Sequence, residues 1–329
     1  MGDRAGGTVL LEVVIMAQQE HHDVIIIGGG AAGLSAGLVL ARAQADVLLI
    51  DAGEPRNARA AEMHGFVSRD GVMPADFMAV ARREVSSYGA TVLSASVRTI
   101  EPVADGSFKV TLTAGSVAFA RALLVATGLT DELPLTPGVR DRWGTLVHHC
   151  PYCHGFEVLN KAIVVIGGPA REMSMKQAGL LRRFSDRVTF AANGIELTDA
   201  ERHRLEAFGI TVVDGAVSQL VGQMGSLDGV ALADGTTIEC EAAFIAPRQR
   251  PNDELLRSLG CEADPVSGLI SANEFGQTSV PGVWAAGNVV TPTAQVITAA
   301  GAASASAIAI NGWLLQKDLD AASARADRN

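Results

Sequence analysis

One segment near the start of the chain, DVIIIGGGAAGLSAGLVLARAQADVLLIDAG, constrains the fold more than any other. Its short continuous apolar run, Val24 to Ile27, predicts a strand that is buried on both faces. A glycine-rich turn and a helix with one apolar face follow, and a second apolar strand ends in Asp51. The order strand, turn, helix, strand predicts a parallel βαβ unit.

The turn of this unit predicts a dinucleotide site. The Gly-x-Gly-x-x-Gly spacing lets the backbone approach a pyrophosphate at a helix N-terminus. The acid after the second strand binds a ribose hydroxyl. A glycine triplet alone is weak evidence, and a structural turn with a solvated acid is the alternative. The flanking strands and the acid at the right distance favour dinucleotide binding. The predicted contacts are Gly28, Gly30, Ala31, Ala32, Gly33 and Asp51.

The same order of elements recurs in AIVVIGGPAREMSMKQAGLLRRFSDRVTFAANG. Each copy is followed by an antiparallel meander and then by one more apolar strand. The turns are predicted at Asp105-Gly106, Asp228-Gly229 and Asp234-Gly235, and the strands at Leu123 to Ala126 and Ala242 to Ala246. A chain of 329 residues has room for about two domains. The predicted fold class is α/β, with two Rossmann-type (three-layer ββα) nucleotide-binding domains, the second inserted into the first.

The order of the segments predicts the domain boundaries. Residues 21–128 and 248–329 are expected to form the first, discontinuous domain, and residues 129–247 the second. Residues 1–20 are predicted to be a flexible N-terminal extension, and Glu12 interrupts its apolar stretch, which argues against a secretory signal. The C-terminal helix is rich in Ala, Ser and Gly, which suits close packing against a backbone or a flat ligand. A plain buried helix is the alternative.

Composition excludes several classes of function. A formal net charge of -10 argues against a nucleic-acid partner, because phosphate binding relies on clustered Lys and Arg. We find no uninterrupted run of about eighteen apolar residues, so no membrane span is predicted. The chain has four cysteines, Cys150, Cys153, Cys240 and Cys261, too few for a disulfide scaffold. This cysteine usage predicts a reducing compartment, the cytoplasm.

The stretch HHCPYCHG, residues 148–155, contains the densest group of reactive side chains. Cys150, Cys153 and His154 have the spacing that attaches a c-type haem, half of a zinc site, or a redox dithiol beside a proton carrier. An inert buried pair is a further alternative. No export signal or haem pocket is visible, and zinc needs about four ligands. The motif by itself leaves these alternatives open.

Four motifs together resemble those of the low-molecular-weight thioredoxin reductases. They are IIIGGGAAGLSA, LLVATG, the Cys-x-x-Cys and TSVPGVWAAGN, in the family order, and the resemblance covers essentially the whole chain after Met16. It implies FAD in the first domain and a Cys150–Cys153 disulfide that can lie against the isoalloxazine ring. A redox dithiol is therefore favoured, with no metal. The resemblance adds these cofactor contacts: Ala126, Thr127, Gly128, Gly287, Asn288, Gln295 and Val296. Asn57 and His64 either line the flavin pocket or are surface loop residues.

The motif departs from thioredoxin reductase at one position, where His154 replaces an aspartate. CPYCHG more closely resembles the dithiol oxidases of gliotoxin and holomycin biosynthesis. We expect Cys150 to exchange with substrate sulfur and Cys153 to pass electrons to the flavin. His154, with His149, is expected to move the protons.

The second glycine turn departs from the dinucleotide pattern at three points. Pro169 replaces the second glycine, which removes a backbone donor and adds a ring where pyrophosphate approaches. Glu172 adds negative charge beside that position. Residues 191–193, Ala-Ala-Asn, provide neither an acid for NAD nor arginines for NADP. The sequence therefore predicts impaired or absent NADPH binding.

These observations favour an FAD-dependent dithiol oxidase that passes electrons from substrate thiols through Cys150 and Cys153 to FAD and then to oxygen. One alternative is an NADPH-dependent reductase of thioredoxin or another disulfide. A second is a non-catalytic flavin sensor or electron carrier. The expected partner is a small dithiol or disulfide or a thioredoxin-like protein, and the expected assembly is a homodimer.

Overall fold

The structure, a computed structural model, describes residues 20–328. The predicted N-terminal extension lies outside the described residues except for Glu20, which begins the first strand. The first unit consists of β1 (Glu20–Ile27), α1 (Ala31–Arg42), β2 (Val47–Asp51), α2 (Pro74–Ser87), β3 (Thr91–Ser94), β4 (Val97–Pro102), β5 (Phe108–Leu112) and β6 (Val117–Val125).

The chain then leaves the first unit through β7 (Leu129–Glu132) and builds a second series of elements. These are α3 (Val139–Arg142), β8 (Val147–His148), α4 (Pro151–His154), a 3₁₀ turn at Phe156–Val158, β9 (Ile163–Ile166), α5 (Arg171–Leu181), β10 (Val188–Ala191), α6 (Asp199–Ala207), β11 (Thr211–Val213), β12 (Val217–Val221), β13 (Gly229–Leu232), β14 (Thr237–Glu239) and β15 (Ala242–Ile245). It returns through β16 (Arg248–Pro251), α7 (Glu254–Ser258), β17 (Val283–Ala285), a 3₁₀ turn at Gly287–Val289 and α8 (Val296–Ala326).

The largest sheet has the order β3-β2-β1-β6-β5-β4, and β17 pairs with β6. Strands β3, β2, β1, β6 and β17 are parallel, whereas β4 and β5 form the antiparallel meander. The return of the chain after β16 to pair β17 with β6 completes this sheet from a distant segment. The short apolar run predicted at residues 24–27 is the fully buried half of β1.

The second sheet is wholly parallel, in the order β11-β10-β9-β15-β8, and the meander β12-β13-β14 forms a separate antiparallel sheet. Strands β7 and β16 pair with each other and form the link between the two parallel sheets. The predicted α/β fold class with two Rossmann-type units is confirmed. One predicted turn differs: residues 222–228 connect β12 to β13, and Gly229 begins β13 and pairs with Glu239. A Cβ added at Gly229 would lie 2.7 Å from the Ile238 carbonyl oxygen, so this strand position suits glycine.

Helix α8 packs against α1 over the first sheet. Its residues Ala299, Ala303, Ala307 and Ile310 belong to the core that α1 and β1 share. Among the described residues it is the one helix long and apolar enough to cross a bilayer by length and composition, although no uninterrupted apolar run was found in the sequence. This property is weak evidence for a membrane span, because core helices of similar composition meet the same criterion.

Candidate active site

The parallel strands of the first sheet end at a cavity of 1280 Å³. This volume exceeds the roughly 300–1,000 Å³ of a drug-sized ligand site, as a dinucleotide requires. Helix α1 begins here at Ala31, and its N-cap is Gly30, so no side chain caps it. A Cβ added to Gly30 would meet nothing within 4 Å. The first-turn N–H groups of α1 are therefore available to a ligand at this end of the cavity.

The two other glycines of the motif are required by backbone packing. Gly28 has φ +103°, and an added Cβ would lie 2.4 Å from the Ala126 carbonyl oxygen. A Cβ on Gly33 would lie 1.9 Å from the Gly28 carbonyl oxygen. Gly33 lies behind the cavity wall, where it lets α1 approach β1. The other predicted cofactor-contact residues all line the cavity.

Asp51 ends β2 at the rim of the same cavity. Its Oδ1 accepts the N–H of Gly29 at 3.1 Å and that of Gly53 at 3.2 Å, and its Oδ2 pairs with Arg82. These contacts hold the carboxylate beside the glycine turn, where the dinucleotide pattern places a ribose.

The end of β6 is fastened to the returning chain. Thr127 donates its hydroxyl to the Asn252 carbonyl at 2.6 Å, and the Asn252 amide donates to the Thr127 carbonyl at 3.0 Å. Gly128 follows with φ +69°, a conformation that suits glycine. This part of the wall is therefore held through the two crossover segments.

The C-terminal wall is formed by the turn before α8. Gly287 has φ +79°, and an added Cβ would lie 3.0 Å from Cβ of Ala32. The amide nitrogen of Asn288 donates to the carbonyls of Thr291, Pro292 and Ala294, at 3.1, 3.1 and 2.9 Å. Asn288 thus closes this turn with its donors and keeps only its oxygen for other partners. Gln295 and Val296, at the start of α8, line the cavity.

The dithiol lies in the wall of the same cavity. Cys150 and Cys153 form a disulfide with their Cα atoms 5.3 Å apart, and both are half-buried. Cys150 precedes α4, and its carbonyl accepts the N–H groups of Cys153 and His154 at 3.1 Å each. The glycine turn and the disulfide therefore face one shared space, as electron transfer between a flavin and a dithiol requires.

Two stacked histidines support the dithiol. His148 is 5% exposed, and burial, followed by the charges of His154 and His149, lowers its pKa to about 3. The His154 ring stacks on it with the centroids 4.3 Å apart. Burial also lowers the pKa of His154, and the nearby Glu157 carboxylate opposes that effect. His154 is consequently a neutral imidazole near pH 7 and is able to accept a proton.

His149 is held by an ion pair that the sequence did not predict. Arg56 pairs with Asp131 through two hydrogen bonds of 2.7 and 2.8 Å, and its Nη2 lies 3.3 Å from Nε2 of His149. Trp143 stacks on the other side of the ring, with the centroids 5.7 Å apart. Burial and then the Arg56 charge lower the pKa of His149 to about 4. Asp131 acts in the opposite direction.

Gln177 is a further residue that sequence reasoning missed. It is 2% exposed, and its amide nitrogen donates to the carbonyls of His149 at 2.7 Å and Ile245 at 3.0 Å. These bonds tie α5 to the segment that carries the dithiol and to the end of β15. The one available signal was its spacing, because Ser174, Gln177, Ala178 and Leu181 form the buried face of α5.

The second glycine turn is engaged in bonds within the chain. The Asn193 amide donates to the Gly167 carbonyl at 2.8 Å, and its oxygen accepts the N–H of Val217 at 2.8 Å. Arg171, the basic side chain nearest the turn, pairs with Glu201. Pro169, Ala170 and Met173 line the shared cavity instead. Asn193 and Arg171, two polar residues beside this turn, are therefore paired within the chain.

No group of three or more His, Cys, Asp and Glu side chains in residues 20–328 is arranged to hold a metal ion. The predicted catalytic residues Cys150, Cys153, His154 and His149 all line the cavity, as do Asn57 and His64. The first unit and the dithiol segment, far apart in sequence, are thus brought together.

Comparison with known proteins agrees with this geometry. Residues 22–307 match the family described as "Pyridine nucleotide-disulphide oxidoreductase", whose members generally depend on FAD. The chain is 29% identical over 310 residues to "Thioredoxin reductase sirT" of Leptosphaeria maculans, covering 89% of this chain and 94% of that protein. It is 31% identical over 270 residues to "Thioredoxin reductase aclD" of Aspergillus oryzae, covering 78% and 85%.

Among solved structures, that of HlmI superposes with a TM-score of 0.90 at 45% identity, covering 94% of this chain and 97% of that one. The uncapped N-terminus of α1 at Gly30 fits the pyrophosphate of FAD, and the dithiol lines the same cavity. The predicted class of thioredoxin-reductase-like enzyme is confirmed, and the non-catalytic sensor has no support. This chain belongs to the pyridine nucleotide-disulphide oxidoreductase family and is an oxidoreductase.

Proposed function

We propose that this enzyme oxidises dithiols through Cys150 and Cys153, with FAD bound against the glycine turn of the first unit and oxygen as the final electron acceptor. The observation that carries the proposal is the contrast between the two glycine turns. The first offers an open cradle at Gly30, whereas the second contains Pro169, and the neighbouring Asn193 and Arg171 are paired within the chain. The motif CPYCHG, which resembles that of the gliotoxin and holomycin dithiol oxidases, supports the same choice.

The chain's own residues carry the thiol chemistry. A substrate thiolate attacks Cys150 Sγ, the Cys150–Cys153 bond breaks, and Cys153 leaves as a thiolate. His154 accepts the proton of the second substrate thiol, whose sulfur then attacks the mixed disulfide and releases Cys150. The substrate is oxidised to a disulfide and the two cysteines are reduced. Bound FAD would accept the electron pair and transfer it to oxygen, yielding hydrogen peroxide.

The residues that we propose to hold FAD lie at the ends of the parallel strands. Gly28, Gly30 and the first turn of α1 would bind the pyrophosphate, and Asp51 the adenosine ribose. Gln295 and Val296 would lie at the flavin end. We assign this role to residues 21–128 and 248–329 together, and assign the dithiol to residues 129–247.

The same proposal includes a homodimer in the cytoplasm acting on a small dithiol. Ile308, Leu315 and Leu319 form one exposed apolar face of α8, which supports self-association. Tyr152, exposed between the two cysteines, lines the cavity and offers an aromatic surface to a small substrate. Buried thiols at Cys240 and Cys261 agree with a reducing compartment.

An NADPH-dependent disulfide reductase is the second candidate, because the curated relatives sirT and aclD are both named thioredoxin reductases. One experiment separates the two. Purified protein is given a small dithiol under air, and oxygen uptake, peroxide and substrate disulfide are measured together. The dithiol oxidase forms disulfide and peroxide in equal amounts without nicotinamide. A requirement for NADPH, with disulfide consumed, would establish the reductase.

A further inference from the structure

A cluster of charged side chains surrounds His64 beside the dithiol. Nε2 of His64 lies 3.3 Å from Glu157 Oε1 and 3.7 Å from Glu62 Oε2, and Nδ1 lies 3.4 Å from Asp70 Oδ2. Glu157 follows the dithiol helix, whereas the other three residues belong to the loop between β2 and α2. The cluster therefore joins two segments that are distant in sequence.

The helical backbone connects this cluster to His154, the proton acceptor beside the dithiol. Gly155, between α4 and the following 3₁₀ turn, has φ −69° and ψ −33°, so the helical path continues from His154 to Glu157. Residues three apart on a helix are neighbours on one face. The electrostatics agree, because Glu157 raises the pKa of His154 and His64 lowers it.

The loop holds His64 in a defined position. Met63 and Val72 form an isolated antiparallel bridge that closes residues 63–72. Within it the N–H of Gly65, which has φ +79°, donates to Asp70 Oδ1 at 2.8 Å, while the other carboxylate oxygen faces His64. Asp70 is thus fixed on the side of the ring opposite Glu157.

Asp70, the proposed outer residue, is the most exposed side chain of this group. The side chains of His64, Glu157 and Asp70 are 20%, 40% and 66% exposed, whereas the dithiol is half-buried in the cavity wall. Each ring nitrogen of His64 has a carboxylate within 3.4 Å, so a proton on either nitrogen has an acceptor.

Oxidation of one dithiol releases two electrons and two protons. The electron pair and one of the protons would pass to the flavin, and the other proton must cross from a half-buried site to water. We propose that His64 relays protons between the His154–Glu157 pair and solvent, with Asp70 as its outer partner. The proposal rests on the proposed thiol oxidation, and His64 is a relay that acts through His154.

The test is anaerobic rapid mixing of the FAD-loaded enzyme with dithiothreitol, followed by flavin absorbance, in weak and in concentrated buffer. The variants are His64→Gln and His64→Ala, and imidazole is added to the second. His203→Gln on α6, an exposed histidine distant in sequence from the dithiol, is the matched control. FAD content and unfolding temperature report whether each variant is intact.

In weak buffer we expect His64→Gln to lose about tenfold or more in the rate of flavin reduction. Concentrated buffer should restore that rate, and imidazole should restore His64→Ala in a saturable manner. Wild type and His203→Gln should be insensitive to buffer concentration. A structural role for His64 would not produce buffer rescue.

Two results would overturn the relay: a wild-type rate for His64→Gln in weak buffer, or a deficit that neither buffer nor imidazole relieves. If dithiols fail to reduce even wild type, the proposed oxidation fails instead. In that case the proteins are reduced chemically and mixed with a disulfide, and the rate of flavin oxidation is followed. A rate for His64→Gln that is low in weak buffer and restored in concentrated buffer would support the relay, and a rate equal to that of wild type would overturn it.

Discussion

Arg56 determines which nitrogen of His149 carries the ring proton. A guanidinium group can only donate hydrogen bonds, and its Nη2 lies 3.3 Å from His149 Nε2, so that nitrogen must accept. The proton of the neutral ring then resides on Nδ1. His149 was predicted from the sequence to move protons with His154. The geometry favours a different role, a neutral imidazole that offers a fixed N–H donor.

Replacing Arg56 with glutamine tests this assignment. The substitution removes the positive charge and leaves Asp131 unpaired, and both changes should raise the pKa of His149 from about 4 toward its ordinary value of 6.5. NMR titration of the His149 ring measures this directly. Arg56→Lys keeps the charge and should leave the pKa low, so an equal pKa in both variants would contradict the argument.

His148 should make the protein sensitive to acid. Its folded-state pKa is about 3 and its unfolded value is 6.5, so the unfolded chain binds the proton first as the pH falls. The free energy of unfolding should therefore decrease below pH 6.5, and by pH 4 this one ring accounts for on the order of 3 kcal/mol. His148→Phe retains an aromatic ring against Phe244 and should flatten that dependence. Denaturant unfolding at both pH values measures it, and an unchanged decline would refute the assignment.

Cys150→Ser and Cys153→Ser should each abolish dithiol turnover and leave FAD bound. Both sulfurs line the cavity and act as one redox pair, so either loss prevents disulfide formation. Cys240→Ala is the matched control, because burial raises the pKa of that thiol to about 12 and keeps it unreactive. Turnover by either serine variant at the wild-type rate would make the disulfide structural.

The sequence predicted those parts of the molecule whose signal is local. The apolar run before Gly28, the glycine spacing and the acid at Asp51 all lie within one βαβ unit, and the structure forms that unit as expected. Pro169 and Asn193 likewise depart from the dinucleotide-binding pattern within one short segment of sequence. The fold class could be predicted for this reason, and the impaired second turn stays a prediction of the same local kind.

The contacts that hold the segment around the dithiol could not be predicted from the sequence, because they join residues of distant segments. Arg56 and Asp131 are 75 residues apart, and they meet only when β7 and the β2–α2 loop approach. Gln177 reaches the His149 carbonyl across 28 residues. A buried polar position in a helix indicates that a partner exists, but its identity requires the tertiary fold.

Gly30→Val should abolish FAD binding without unfolding the chain. Gly30 has φ −76° and ψ −173°, an extended conformation that valine adopts readily, and its added Cβ meets no protein atom within 4 Å. The new side chain would occupy the pyrophosphate position, so we expect about a hundredfold weaker FAD binding or more. Gly179→Ala on α5, also in open space, is the control. Titration with FAD measures both, and unchanged affinity of the valine variant would place the cofactor elsewhere.

The choice of electron donor tests the central claim most directly. Pro169 stands in the second turn, and Arg171 and Asn193 beside it are paired with groups of the chain. FAD-loaded enzyme is mixed anaerobically with NADPH or with a dithiol, and the loss of flavin absorbance is followed in time. We expect rapid reduction by the dithiol and reduction by NADPH slower by orders of magnitude. Rapid, saturable reduction by micromolar NADPH would contradict it and identify a disulfide reductase.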